Sequence, residues 1–170
     1  MININYIKCP YVISYFDKHS EIKNDVLNII NSQNFPYGEI SNTDWHINGE
    51  IPRKYADLVN IDLMNHMRKV FNALNFEKIF IKNYWYQQYK NNSNHPWHVH
   101  SGCNFTNVYY LELPSGEVAT NIINPQDNSI IVPDVYEGCV LTMPSFVYHC
   151  SPQNTTNKTK TVIAFNINTP

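Results

Sequence analysis

Three histidines stand in an order that could hold one metal ion: the pair His98 and His100, then His149 far downstream. On a β-strand, residues two apart project to the same face, roughly 6.6 Å apart along the chain. Two imidazoles placed that way can converge on one ion with metal–nitrogen bonds of about 2.1 Å. A facial metal site needs a close pair plus a distant third ligand, which is the order seen here. Each piece alone is weak. A lone His-x-His in a β-protein more often sits on the surface or packs, and Lys160, which opens the terminal run Lys160–Asn166, reads alone as a solvated strand end. His95 lies three residues before His98, so on a regular strand it faces the other way, toward the rim, although Pro96 breaks regular pairing there. Trp97 and Val99 then point away from the ion. Asp127, Asp134 and Glu137 fall in turns before the distal histidine, where one of them could add a carboxylate ligand.

Such histidines need strands to hold them, and the second half of the chain supplies these. Runs at about 78–89, 97–100, 105–113, 117–123, 129–132, 138–143, 146–150 and 159–168 are rich in β-branched and aromatic residues. Turn formers such as Asn91-Asn92-Ser93, Ser101-Gly102 and Pro114-Ser115-Gly116 separate them. The first half reads differently. A short strand is expected near 4–9, then a helix capped by Ser20 and running to about Asn31, with Ile22, Val26, Leu27 and Ile30 on one face. Asn34–Asn48 is a loop whose Tyr37, Asp44 and Trp45 could form a lid. A second helix runs from about Pro52 to Ala73, with a stripe of Leu58, Ile61, Met64, Met67, Val70, Phe71 and Leu74. Short strands after two helices predict a mainly β fold, a double-stranded β-helix or cupin-like jelly-roll barrel, with helices on one outer face. Residues 1–170 are expected to form one domain, with 1–76 as helical support and 77–170 as the jelly-roll core.

Composition narrows the function classes. The chain has 170 residues, 12 Tyr and 8 Phe, and a formal net charge of −2. Its Lys and Arg are scattered, which argues against a dedicated nucleic-acid surface or a basic membrane-surface helix. No apolar stretch approaches the roughly 20 residues needed to span a bilayer. No basic segment followed by an apolar run opens the sequence, so no signal peptide is expected and the cytoplasm is the expected compartment. Cys9, Cys103, Cys139 and Cys150 are then expected as reduced thiols, without zinc-type spacing, and triplets such as Asn104-Phe105-Thr106 as chance glycosylation matches.

The stretch from Tyr84 to Asn166 resembles the 2-oxoglutarate/Fe(II) dioxygenase superfamily, in its prolyl-hydroxylase-like and small phage and bacterial branches. The resemblance rests on Tyr89, His98-Val99-His100, Val108-Tyr109-Tyr110-Leu111, His149 and Lys160. The run Gly138-Cys139-Val140-Leu141-Thr142-Met143-Pro144-Ser145 is similar to that family's approach to its distal ligand. It implies an enzyme that uses Fe(II), O₂ and 2-oxoglutarate to hydroxylate a C–H bond. His98 and His149 would be metal ligands, Lys160 would pair with the distal carboxylate of 2-oxoglutarate, and Tyr89 and Tyr110 would donate hydroxyls to it. Physically, a buried dicarboxylate needs one fixed cation and hydroxyl donors to offset its desolvation.

Two departures stand out. His100 takes the place of the family's carboxylate ligand, and Lys160-Thr161-Val162 lacks the hydroxyl usually found two residues after the cation. Nitrogen-only ligation also suits Zn²⁺, Ni²⁺ and Cu²⁺, which bind more tightly than Fe²⁺, so Ni²⁺ or Zn²⁺ can substitute for the expected Fe(II) in protein as purified. Three neutral imidazoles imply that metal affinity falls below about pH 6. Two alternatives stay open: a three-His metalloenzyme without 2-oxoglutarate (a cupin-type dioxygenase or a zinc site), and a non-catalytic jelly-roll binding protein. The substrate could be a protein side chain or a small metabolite.

Overall fold

The change of hydrophobic period near residue 78 is where helices give way to sheet. The computed structural model describes residues 2, 3, 5, 8–33, 41–47 and 51–170. Along the chain come β1 (Val12–Tyr15), α1 (His19–Asn31), β2 (Asn42–Thr43), α2 (Lys54–Ala73), β3 (Phe80–Tyr89), β4 (His95–His98) and β5 (Phe105–Glu112). A 3₁₀ turn at Gly116–Val118 leads to β6 (Asn121–Ile123), β7 (Ile130–Ile131), β8 (Cys139–Pro144), β9 (His149–Ser151) and β10 (Lys160–Asn168). The strands pair antiparallel into two sheets of a jelly roll rather than one closed barrel. The major sheet runs β1-β8-β5-β10-β3-β2 and the minor sheet β4-β9-β6-β7.

Alternation along the central strands decides what goes where. On β10, Ile163, Phe165 and Ile167 join Tyr86, Tyr109 and Leu111 in a core packed under Val59, Leu63, Met67 and Phe71 of α2 and Val26 and Ile30 of α1. The intervening residues of β10 face the minor sheet. Val162 packs there with Val108, Ile122, Leu141 and Val147. Both faces of β10 are therefore covered, which is why all its residues but the last are buried.

Several expectations shift. The first strand lies at Val12–Tyr15; positions 4, 6 and 7 of the expected 4–9 strand lie outside the described residues, and Asn5, Lys8 and Cys9 are not in a strand. With β2 it makes the first half a contributor of strands as well as helices. Lys18, not Ser20, occupies the N-cap of α1, and no side chain caps it. In α2 the buried stripe is Tyr55, Ala56, Val59, Leu63, Met67, Val70 and Phe71. Leu58 and Ile61 are 40% and 75% exposed. The helix is apolar on more than one side, and the sheet takes the face that Tyr55 leads. All four cysteines are free thiols. No helix among the described residues is long and apolar enough to cross a membrane.

Candidate metal centre

Strands β4 and β9 set the site by their register: His98 pairs with His149, and His95 with Ser151. Four residues of one strand, His95–His98, thus oppose three of the other, His149–Ser151, a bulge that undoes strict alternation. His95 consequently comes round beside His98, with ring centroids 4.2 Å apart, instead of facing away from it. Trp97 and Val99 are exposed, as their positions between the histidines imply. His100 follows the strand rather than lying in it, and its backbone N–H donates to Ser145 O at 3.0 Å.

One ring nitrogen from each of His98, His100 and His149 lies within 4.8 Å of the other two. Each ring is fixed by an oxygen that accepts from Nδ1. His98 donates to Pro96 O at 2.8 Å, His149 to Val147 O at 2.9 Å, and His100 to Asn166 Oδ1 at 2.8 Å. A carbonyl oxygen can only accept, so Nδ1 carries the proton and Nε2 keeps its lone pair in all three rings. Asn166 is itself oriented by donating to Asn83 Oδ1 at 2.9 Å. Trp85 stacks on His100, with centroids 5.6 Å apart.

Burial, reinforced by the neighbouring imidazoles, pushes the ring pKa of His149 down to about 3 and that of His98 down to about 4, and lowers His100 as well. His98 and His149 therefore stay neutral well below pH 6, and proton competition for a metal at these two rings begins lower than the ordinary histidine value suggests. Three neutral rings with free Nε2 lone pairs fit a divalent transition ion. Among the described residues no carboxylate joins the group. Asp127 accepts from Ser129 in its own turn, Glu137 accepts from Lys23 at 2.5 Å, and Asp134 is exposed.

The histidines stand where two cavities meet. A wide one of about 600 Å³ is walled by Trp45, Trp85, His95 and Val99. A narrow one of about 30 Å³ runs between the sheets to Lys160, and both share Trp85, Gln87, His98 and His100. Lys160 is 1% exposed. Its Nζ donates to Val118 O at 2.6 Å and to Ser151 Oγ at 2.8 Å, and lies 5.1 Å from the ring centroid of Tyr89 and 6.0 Å from that of Tyr110. Burial pushes its pKa down to about 7, and among the described residues no carboxylate pairs with it. Tyr89 lines the narrow cavity, its hydroxyl donating to Gln87 Oε1 at 2.6 Å. Tyr110 lies behind that lining, fully buried, and its hydroxyl accepts from Thr120 N–H at 3.2 Å.

Of the expected lid loop, residues 34–40 and 48, Tyr37 among them, lie outside the described residues. Trp45 is 53% exposed and packs edge-on against Trp85, 4.4 Å between centroids. Asp44 is a buried pin instead of a rim residue: it accepts from Arg53, Tyr55 Oη and Tyr86 N. Sequence spacing missed Ser151, Gln87, Trp85, Thr120 and Asn166. Even spacing was the signal for two of them, since Ser151 follows His149 by two and Asn166 follows Lys160 by six, each on one strand.

No family model and no curated protein matches the sequence. Solved structures do. A 2OG-Fe(II) oxygenase family oxidoreductase from Burkholderia pseudomallei superposes with a TM-score of 0.67 at 13% identity, covering 93% of this chain and 84% of that one. The viral collagen prolyl hydroxylase of Paramecium bursaria Chlorella virus-1, solved with 2OG, gives 0.63 at 14% identity over 92% and 94%. The chain has the fold of the 2-oxoglutarate/Fe(II) oxygenases. HygX from Streptomyces hygroscopicus, solved with nickel and 2-oxoglutarate, shares that oxygenase fold at a TM-score of 0.64 and 11% identity, over 94% of this chain and 83% of its own. The likeness takes in nearly the whole chain, helices included, and not the strand-rich half alone.

Proposed function

We propose that this chain is a non-haem Fe(II) and 2-oxoglutarate-dependent dioxygenase. The observation that carries the reading is Lys160, a fully buried amine with no carboxylate partner among the described residues, in the same cavity as three imidazoles with free Nε2 atoms. An uncompensated buried charge is costly, and an anionic ligand is what would offset the cost. A dicarboxylate that also chelates metal answers both features. Two of the structures with this fold hold 2-oxoglutarate, one of them with nickel.

On this reading His98, His100 and His149 hold the metal, with Ni²⁺ or Zn²⁺ able to replace Fe²⁺ during purification. A bound Fe(II) would offer open positions to 2-oxoglutarate and O₂ and relay electrons between them, the net electrons coming from 2-oxoglutarate and R–H. The chain's residues do the rest. Pro96 O, Val147 O and Asn166 keep the three rings in the ligating tautomer. Lys160 meets the distal carboxylate as a point charge, and Tyr89 adds a hydroxyl beside it. Tyr110, held by Thr120, completes the wall behind Lys160. The sum is balanced: 2-oxoglutarate, O₂ and R–H give succinate, CO₂ and R–OH. The substrate, a protein side chain or a small metabolite, would approach through the wide cavity past Trp45. The four free thiols fit a reducing compartment such as the cytoplasm. Succinate formed from 2-oxoglutarate by Fe(II)-loaded protein, and absent from His149→Ala, is the test.

One observation favours a second reading. The cluster offers a third imidazole and no carboxylate among the described residues, so both charges of a bound ion would stay uncompensated, which suits a zinc site or a three-His dioxygenase without 2-oxoglutarate. Lys160→Ala separates the two: it abolishes 2-oxoglutarate binding and spares metal on the first reading only.

A further inference from the structure

Lys160 and Ser151 belong to different sheets, yet their side chains meet. Lys160 opens β10 in the major sheet and Ser151 closes β9 in the minor sheet, with Nζ and Oγ 2.8 Å apart. The hydroxyl next to Lys160 on its own strand is committed elsewhere. Thr161 faces the opposite way and donates to Glu112 Oε2 at 2.5 Å, with Gln88 Nε2 donating back to it at 3.3 Å. Ser151 instead follows His149 by two on one strand, so both side chains point into the narrow cavity, which they line together with Lys160.

Resting on the co-substrate reading above, we propose that Ser151 is the second anchor of the co-substrate's distal carboxylate, so that the bound dicarboxylate ties the minor sheet to the major one. The donor count supports this. An ammonium has three N–H bonds, and Lys160 spends two, on Val118 O and Ser151 Oγ. One remains for a ligand. The Ser151 hydroxyl accepts from Lys160 and still has its own proton to give, so the pair offers a carboxylate two donors, one of them charged. Each comes from a different sheet. A hydrogen bond to a charged group of this kind is worth about 10- to 100-fold in affinity.

The position has a mechanical consequence. Ser151 shares β9 with His149, and His149 pairs with His98 on the edge strand β4. A ligand gripped by Ser151 therefore steadies the strands that carry two of the three histidines. Binding at the far end of the cavity would hold the metal ligands in register without touching them.

Zn(II)-loaded protein, which does no redox chemistry, serves for the test, with 2-oxoglutarate and pyruvate titrated calorimetrically. Pyruvate keeps the chelating head and lacks the distal carboxylate. Ser151→Ala is expected to weaken 2-oxoglutarate about 10- to 100-fold and leave pyruvate unchanged, while Thr161→Val changes neither. Ser151→Thr keeps the hydroxyl and restores most of the affinity. Hydrogen exchange at residues 149–151 should slow on adding 2-oxoglutarate to wild type and not to Ser151→Ala. If Ser151→Ala does not fold, Ser151→Cys keeps the bulk, donates weakly and reads the same loss. The inference is overturned if these variants bind 2-oxoglutarate like wild type while Lys160→Ala does not. Metal-loaded wild type that binds no 2-oxoglutarate would bring down the co-substrate reading itself, a separate outcome visible before any Ser151 variant is made.

Discussion

Asn166, on the last strand, accepts a 2.8 Å hydrogen bond from Nδ1 of His100 and thereby fixes which nitrogen of that ring is free. The same amide donates to Asn83, so it cannot flip without losing both bonds. On the proposed reading His100 stands where a carboxylate ligand is expected, and of the three histidines it is the one whose ring is held by a side chain instead of a backbone carbonyl.

Removing that support should show in metal affinity. Asn166→Ala is expected to weaken Zn(II) or Fe(II) about 10- to 100-fold with the fold intact, measured by competition with a chromophoric chelator. An unchanged affinity would mean that Trp85 stacking and the Thr106 hydroxyl, 3.2 Å from the same Nδ1, suffice to orient His100.

Acid should unfold the metal-free protein early. Histidines in the unfolded chain take up protons near pH 6.5, whereas His98 and His149 in the folded chain stay neutral until about 4 and about 3. The unfolded state thus binds more protons, and stability falls as pH drops from about 6.5 toward 4. Thermal melts of metal-free wild type across that range should show the slope, and His149→Asn should flatten it.

Lys160 gives the opposite limb. Burial holds its pKa near 7, so above that pH the amine is increasingly neutral. A dicarboxylate stabilises the charged form, so binding above pH 7 must take up a proton. Affinity for 2-oxoglutarate should be flat below about pH 7 and fall up to tenfold per pH unit above it. Calorimetry at pH 8 in buffers of different ionisation enthalpy should read close to one proton taken up, and a value near zero would place the charge elsewhere.

Asp44 is expected to matter for stability. Its side chain is fully buried and ion-paired with Arg53 at 2.9 Å, while Tyr55 and Tyr86 also donate to it. Asp44→Ala leaves an uncompensated guanidinium that is only 12% exposed, and should cost about 3–5 kcal/mol by chemical denaturation. Fluorescence of Trp45, which is next in the chain and rests on Trp85, should change in parallel.

What could be read from the sequence followed from spacing. Period-two runs located eight of the β-strands, β3 to β10, within a few residues, and the even spacing of His98 and His100 with distant His149 led to one cluster. The failures have local causes. The β4 bulge brings His95 beside His98, and alternation counts cannot see an inserted residue. Leu58 and Ile61 match helical spacing but lose to the face of α2 that carries Tyr55, because the sheet beneath chooses the side. Ser151 and Asn166 are common polar residues on their own. Only the pairing of β9 and β10 with their neighbours gives them Lys160 and His100 as partners. The lowered pKa values of the three rings were not legible either, because the desolvation of clustered imidazoles has no signature in spacing.

The central claim is that one ligand bridges the histidine cluster and Lys160. Anaerobic Fe(II) reconstitution followed by 2-oxoglutarate titration, watched by visible absorption, tests it most directly. A weak charge-transfer band that needs both additions, and is lost in His149→Ala and in Lys160→Ala, is the predicted result. Iron bound without any band as 2-oxoglutarate is added would contradict it and favour the three-His reading without this co-substrate.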